Sequence, residues 1–214
     1  MSNTDNQQEI KSYKLKYIIV GMAGVGKSSL GEYYVHRKTA TSEKNITVYI
    51  EFFSKQIKIK NKDLNIQIWD TAGQERYSDV VKCYYRDPVG VFICFSLIDR
   101  NSFDKLFSYY ETVQSINDRN ANFTLVGTFL DKPNERCVSK EEAENFAKKY
   151  NMKYIETSSK TGENIDECFE TMNNIMCDRI DNFDSYIICS NDGYHDDLDN
   201  IEENRMLLYK CCKQ

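Results

Sequence analysis

Apolar and amphipathic stretches alternate along the chain. Residues 15–20 are an apolar run that reads as a buried strand, and a helix starts over 29–35. Residues 48–59 and 64–69 read as a hairpin pair. The second alternates Leu64, Ile66 and Ile68 with Asn65, Gln67 and Trp69, and Lys62-Asp63 falls at the turn. Residues 90–97 and 123–130 suit central parallel strands, and 153–156 is a short last strand. Helices fit between them over 102–116, 139–150 and 165–180. Ser139 and Glu142 have the spacing of a capping box, in which the serine accepts from the backbone and the glutamate reaches back. Gly162 stops one unit before the last helix. This alternation implies an α/β fold, a mostly parallel six-stranded sheet with helices on both faces. Ligands then bind at the carboxyl ends of the strands. No internal repeat occurs.

Composition narrows the class. The chain has 214 residues and is 41% hydrophobic, which suffices for one domain with a real core and a tail. No apolar run approaches the ~18 residues of a membrane helix. The polar start, Ser2 to Lys11, has no apolar signal region, so a cytosolic beginning is expected. The eight cysteines include no C-x-x-C pair, and the only histidines are His36 and His195, which leaves zinc poorly supported. Cys83, Cys94 and Cys168 sit among apolar residues and read as small core residues. The net charge of −5 is concentrated beyond residue 180, where eight acids face three bases. A near-neutral domain with an acidic tail makes nucleic acid a poor partner.

The chemistry begins at Gly21-Met-Ala-Gly-Val-Gly-Lys-Ser28, a phosphate loop of the form G-x-x-x-x-G-K-[ST]. Its glycines (Gly21, Gly24, Gly26) let backbone N–H groups curl around phosphates, with Ala23, Val25 and Ser29 completing the cradle. Lys27 reaches the outer phosphates, and the Ser28 hydroxyl ligates Mg²⁺. Asp70-Thr-Ala-Gly-Gln-Glu75 follows a strand. Asp70 can hold the hydration shell of the same Mg²⁺, Gly73 can offer its N–H to a terminal phosphate, and Gln74 is placed to orient a water as the catalytic residue.

With these motifs the chain resembles a Ras-superfamily small GTPase, and within it the Rab family, over roughly residues 12–180. The resemblance implies a P-loop GTPase domain and GTP/GDP with Mg²⁺ as ligands. Glu156-Thr-Ser-Ser-Lys160 resembles the loop whose backbone and lysine flank the guanine base, through Ser158, Ser159 and Lys160. No room remains after Asp131 for the extra helix of the Rho family. Rab-like stretches include Asn65-Ile-Gln-Ile-Trp69, Arg76-Tyr77, Tyr84-Tyr85-Arg86 and Ile93-Cys-Phe-Ser-Leu-Ile98. Switch I aligns as Thr47-Val-Tyr-Ile-Glu-Phe52, so Thr47 joins Ser28 and Asp70 at the metal. Val48, Ile50, Phe52, Trp69 and Tyr84 correspond to the effector-reading surface; Phe52, Trp69 and Tyr84 can also be read as packing residues.

The base-recognition segment departs from the family's Asn-Lys-x-Asp and reads Thr128-Phe129-Leu130-Asp131. Asp131 keeps the carboxylate that accepts from the guanine N1–H and exocyclic amine. Thr128 loses an amide that braces neighbouring loops. Phe129 replaces a lysine stem that lies over the base, and its ring can stack there instead. Thr39 stands where the family has an aromatic against the base, with Tyr33 and Tyr34 as nearby substitutes. Weaker nucleotide retention is the expected consequence. Ala23 is a mild perturbation beside the attacking water.

Residues 1–11 read as a flexible start and 181–214 as an acidic tether. The close Cys211-Cys212-Lys213-Gln214 resembles a Rab dual prenylation site; a single C-a-a-X lipid at Cys211 also fits. The resemblance implies a monomeric, membrane-anchored switch of vesicle trafficking, on the cytosolic face of an intracellular membrane and cycling with the cytosol. It also implies an exchange factor, a GTPase-activating protein, a GDP-dissociation inhibitor and effectors as partners. The rival readings are a nucleotide-holding scaffold with little hydrolysis and an ATP-using phosphotransferase.

Overall fold

This computed structural model describes residues 11–39, 51–70, 85–117, 120–182 and Ile187. Six strands form one sheet: β1 (Lys11–Val20), β2 (Glu51–Ile59), β3 (Lys62–Asp70), β4 (Gly90–Ser96), β5 (Asn122–Thr128) and β6 (Lys153–Glu156). Their order is β2-β3-β1-β4-β5-β6. Only β2 and β3 are antiparallel; the other neighbours run parallel. The helices are α1 (Lys27–His36), α2 (Arg100–Asp104), α3 (Leu106–Ile116), α4 (Lys140–Lys149) and α5 (Ile165–Asp181).

The period-two alternation of the strands divides the core. Leu15, Tyr17 and Ile19 of β1 face α1 and α5, joined by Leu64, Ile66 and Ile68 of β3. Ile18 and Val20 face the opposite side, with Leu106 and Val113 of α3 and Ala143 and Ala147 of α4. The sheet is thus covered on both faces, as the strand–helix alternation predicts. Burying each large apolar side chain contributes about 1.5–3 kcal/mol. Cys94 and Cys168 are buried in this core, as read from the sequence, and Cys177 joins them.

One buried polar network runs through the first layer. The Tyr17 hydroxyl donates to Asn173 Oδ1 at 2.9 Å, and Asn173 Nδ2 donates to the Tyr34 hydroxyl at 3.3 Å. The Tyr34 ring stacks on Phe169 at 3.8 Å. One asparagine therefore fastens β1, α1 and α5 together.

Several boundaries differ from the sequence reading. The β2–β3 turn lies at Lys60-Asn61, not Lys62-Asp63, since Ile59 pairs with Lys62. Lys60 supplies the left-handed residue of the turn at φ 53° without a glycine. β1 begins at Lys11, because Lys11 to Lys14 pair along β3. The helix expected over 102–116 starts at Arg100 and breaks at Lys105. The Asp99 side chain caps its start by accepting from the Asn101 N–H. The capping box at Ser139 and Glu142 is present, with both reciprocal bonds at 3.2 Å.

The chain leaves β1 toward β3 on one side and reaches β4 on the other. That places the topological switch point at the carboxyl end of β1, where the phosphate loop sits.

Candidate nucleotide-binding site

The loop between β1 and α1 is shaped by its glycines. Gly21 has φ 143°, and a side chain there would collide with the Cys94 carbonyl oxygen of β4. Gly26 caps α1 in a left-handed conformation at φ 91°, and no side chain caps the helix. The first N–H groups of α1 therefore open onto the loop, the arrangement that receives an anion. Lys27 is buried, and its ammonium donates to the carbonyls of Gly21 and Met22 at 2.9 Å each. Gly24 is exposed at the loop's crest, whereas Val25 and Ser29 are buried beneath it.

Two oxygen donors from different elements meet at the loop's edge. The Ser28 hydroxyl hydrogen-bonds Asp70 Oδ2, at the end of β3. A hydroxyl and a carboxylate suit a hard, oxygen-loving cation that keeps most of its waters. Among the described residues no cluster of three or more His, Cys, Asp or Glu could hold a metal.

Across the pocket, the segment after β5 meets the loop after β6. Asp131 Oδ1 accepts from the buried Ser158 hydroxyl at 2.6 Å. Ser158 Oγ in turn accepts from the N–H groups of Lys160 and Thr161 at 3.2 Å each. The loop closes on itself through Gly162 N–H to the Ser158 carbonyl at 2.8 Å. Gly162 takes φ 84°, and the Tyr33 hydroxyl occupies the space a Cβ would need.

The altered base segment behaves differently from its sequence reading. Thr128 is buried, and its hydroxyl lies 2.6 Å from the Val25 carbonyl and 2.9 Å from that of Phe95. The brace expected to be lost with the asparagine is thus made in part by the threonine. Phe129 adopts φ 63° and ends β5, and its ring lies within van der Waals reach of Gly26, 3.8 Å from where a Cβ would stand. Tyr34 does not move toward the base; it is in the core. Tyr33 instead packs beside Gly162, with the Arg37 guanidinium 5.8 Å from its ring. Thr39 is exposed.

Phe52 and Trp69 form an edge-to-face pair at 5.0 Å on the β2–β3 hairpin, with Lys16 Nζ 5.4 Å from the indole. Thr47, Val48, Ile50, Gly73, Gln74, Tyr84, Cys211 and Cys212 lie outside the described residues, as does Cys83.

The Ras family model matches residues 16–178. The chain belongs to the Ras family. Among curated relatives, the Ras-related protein Rab-2B of Dictyostelium discoideum is 37% identical over 169 residues, 78% of this chain and 83% of that protein. The GTP-binding protein ypt3 of Schizosaccharomyces pombe is 37% identical over 166 residues, 78% of this chain and 77% of its own length. The Ras-related protein rab-39 of Caenorhabditis elegans is 35% identical over 182 residues, 83% and 79% of the two chains. This member of the Ras family is a Rab small GTPase. It binds guanine nucleotides, hydrolyses GTP and works as a switch with regulators and effectors.

Two features of this Rab GTPase near the pocket-forming loops were not read from the sequence. Thr157 is wholly buried, its N–H donates to the Gly127 carbonyl at 2.7 Å, and its hydroxyl has no hydrogen-bond partner among the described residues. Its place within Glu156-Thr-Ser-Ser-Lys160 was the available signal. Arg37, at the end of α1, donates to both oxygens of Asp166 on α5 at 2.8 Å, and nothing in the local sequence points to that pairing.

Proposed function

We propose that this Rab GTPase is a membrane-anchored switch in intracellular vesicle trafficking, selective for guanine through Asp131 and dependent on Mg²⁺. The observation that carries the reading is the convergence of the phosphate loop, Asp70 and the Asp131–Ser158 pair at one end of the sheet. The main-chain N–H groups of residues 23–29 cradle the phosphates, and Lys27 moves from its two carbonyls to the outer phosphate oxygens. Ser28 and Asp70, with Thr47 as the third protein contributor, would hold Mg²⁺, which when bound would neutralise the charge that develops on the phosphates.

Asp131 accepts from the guanine N1–H and amine, and its orientation is fixed beforehand by the Ser158 hydroxyl. Lys160 and Ser159 flank the base, and Phe129 offers its ring on the phosphate side. Gln74 orients the attacking water; alone it supports slow turnover, which an activating protein accelerates by about 10³–10⁵. GTP orders Thr47 and the segment from Gly73 to Tyr77, and hydrolysis releases them. Effectors read Val48, Ile50, Phe52, Trp69 and Tyr84 in the ordered state.

The protein acts as a monomer on the cytosolic face of an intracellular membrane, cycling with the cytosol. Exchange factor, activating protein, GDP-dissociation inhibitor and effectors serve the cycle. Its anchor is a pair of lipids on Cys211 and Cys212. One chain gives only marginal binding, and the acidic tail adds no electrostatic help. The domain of residues 12–180 carries the switch, and 181–214 the tether.

Single-turnover GTP hydrolysis with and without Gln74→Leu tests the chemistry. A slower variant is expected, and equal rates would remove Gln74 from the mechanism and favour the scaffold. Mass spectrometry of protein from eukaryotic cells tests the anchor: unmodified Cys211 and Cys212 would reject it.

A further inference from the structure

Among the described residues one large apolar side chain stays in solvent: Phe107 of α3, 46% exposed. It is not isolated. Its ring lies 5.8 Å from that of Tyr150, at the end of α4, and Tyr150 lies 4.9 Å from Tyr110 and 4.8 Å from Phe146. Tyr110 also meets Phe123 of β5 edge-on at 5.1 Å. These four neighbours are only half-buried, so the rings form a continuous aromatic strip between α3 and α4. Lysines rim it. Lys148 and Lys149 lie in the last turn of α4, Lys153 opens β6, and all three are exposed; Glu111 of α3 is the acid that follows Tyr110. None of these residues belongs to the nucleotide pocket. An apolar strip with a cationic rim fits an acidic segment that carries apolar side chains.

The chain itself supplies such a segment within reach. α5 ends beside the strip: Arg179 donates to Asn122 Oδ1 at 2.8 Å, and Asn122 precedes Phe123 on β5. The chain then returns to the domain. Ile187, six residues past Asp181, is 8% exposed and joins the core layer that holds Ile180. Residues 192–203 carry six acids and no lysine or arginine. Within them Tyr194, Leu198 and Ile201 recur at i, i+4 and i+7, the spacing of one helical face. Seven residues lead from Ile187 to Tyr194, about 23–25 Å of extended chain, which suffices to pass round the end of a sheet whose packed layers stand about 10 Å apart.

We propose that residues 194–203 of the tail dock on the aromatic strip between α3 and α4, as an acidic helix that lays Tyr194, Leu198 and Ile201 against Phe107 and Tyr150 and its carboxylates against Lys148, Lys149 and Lys153. This is helix-in-groove recognition within one chain. It makes the tether retractable. Undocked, 24 residues lead from Ile187 to Cys211, about 80–86 Å at full extension; docked, ten residues lead from Ile201, about 33–36 Å. The docking stands apart from the lipid anchor, and only its effect on membrane reach rests on that reading.

Amide hydrogen exchange of residues 194–203 in the full, unlipidated chain tests the docking, each amide being referred to its intrinsic rate. Protection of about threefold to thirtyfold is expected in low salt, falling as salt screens the lysine rim. Phe107→Ala, and separately Lys148→Glu with Lys149→Glu, abolish most of it. Leu198→Asp does the same from the tail side, where it leaves the domain's own packing untouched, so this arm holds even if a domain variant folds poorly. Combining Leu198→Asp with Phe107→Ala adds nothing further, because both remove one contact. Exchange at the intrinsic rate in the natural chain, or protection that survives Phe107→Ala and the lysine reversal, overturns the inference. Protection that fades on dilution also overturns it, since the occupant of the strip is then a second copy. Unmodified cysteines in cells would remove the anchor and its reach while leaving every one of these outcomes as stated.

Discussion

Asp131 is oriented before any base arrives, because Ser158 donates to its Oδ1 at 2.6 Å. Guanine presents two donors to a carboxylate. Xanthine replaces the exocyclic amine by a carbonyl, so it presents one donor and one acceptor. An asparagine at 131 matches the second pattern and mismatches the first. Asp131→Asn should therefore lower GDP affinity and raise XDP affinity, inverting the preference by a factor of about ten to a few hundred. Competition binding with both nucleotides measures it. Gly162 makes a second prediction of the same kind. Its φ of 84° strains any other residue, and a Cβ there meets Tyr33. Gly162→Ala should cost about 1–3 kcal/mol, and part of that cost should vanish in a Tyr33→Ala background. An unchanged melting temperature would show that the loop accommodates the methyl. The phosphate loop was legible in sequence because each fixed position acts locally. The contacts of Thr128 were not legible because Val25 and Phe95 are distant along the chain and adjacent only once the sheet forms.

At the scale of elements, the connection from β5 to α4 is pinned to β6 by a charged cluster. Arg136 forms a two-pronged bond with Glu156, at 2.9 and 2.6 Å, and the Tyr154 hydroxyl donates to the same carboxylate at 2.7 Å. Burial works to raise the Glu156 pKa, but the Arg136 and Tyr154 bonds outweigh it and hold the group below its usual value of 4.5. A carboxylate depressed in the folded state stabilises fully above its unfolded pKa. That contribution is lost as pH falls through the folded value. The melting temperature should thus fall more steeply below about pH 4.5 in the natural chain than in Glu156→Gln. Parallel acid limbs would show that the cluster does not contribute. No residue pattern announced this cluster, since Tyr154 and Glu156 lie on β6 and Arg136 on the separate connection before α4. Strand and helix existence was legible from periodicity, whereas ends were decided by single residues. Asp99 started α2 early by capping it, and Lys60 turned the hairpin in a conformation more often taken by glycine.

Over the whole molecule, the phosphate loop is held from behind by a polar joint buried in an apolar layer. Asn173 on α5 accepts from Tyr17 on β1 and donates to Tyr34 on α1, while β1 and α1 flank the loop directly. Asn173→Leu keeps the volume roughly constant but leaves two buried phenols without these bonds. Each orphaned group costs about 1–3 kcal/mol. At about 2–4 °C per kcal/mol for a chain of this size, the melting temperature should drop by roughly 5–15 °C. The nucleotide offers an independent readout of what that loss means. A ligand that binds only the folded chain stabilises it by an amount set by its concentration relative to Kd, about 4 kcal/mol at a thousandfold excess. The joint touches none of the groups that hold the nucleotide, so Kd should change little. Saturating GDP should therefore raise the natural and Asn173→Leu proteins by similar increments, leaving the gap between them open. A gap that widens with GDP would mean that the joint also shapes the pocket, and that α5 transmits its packing to the loop through β1 and α1.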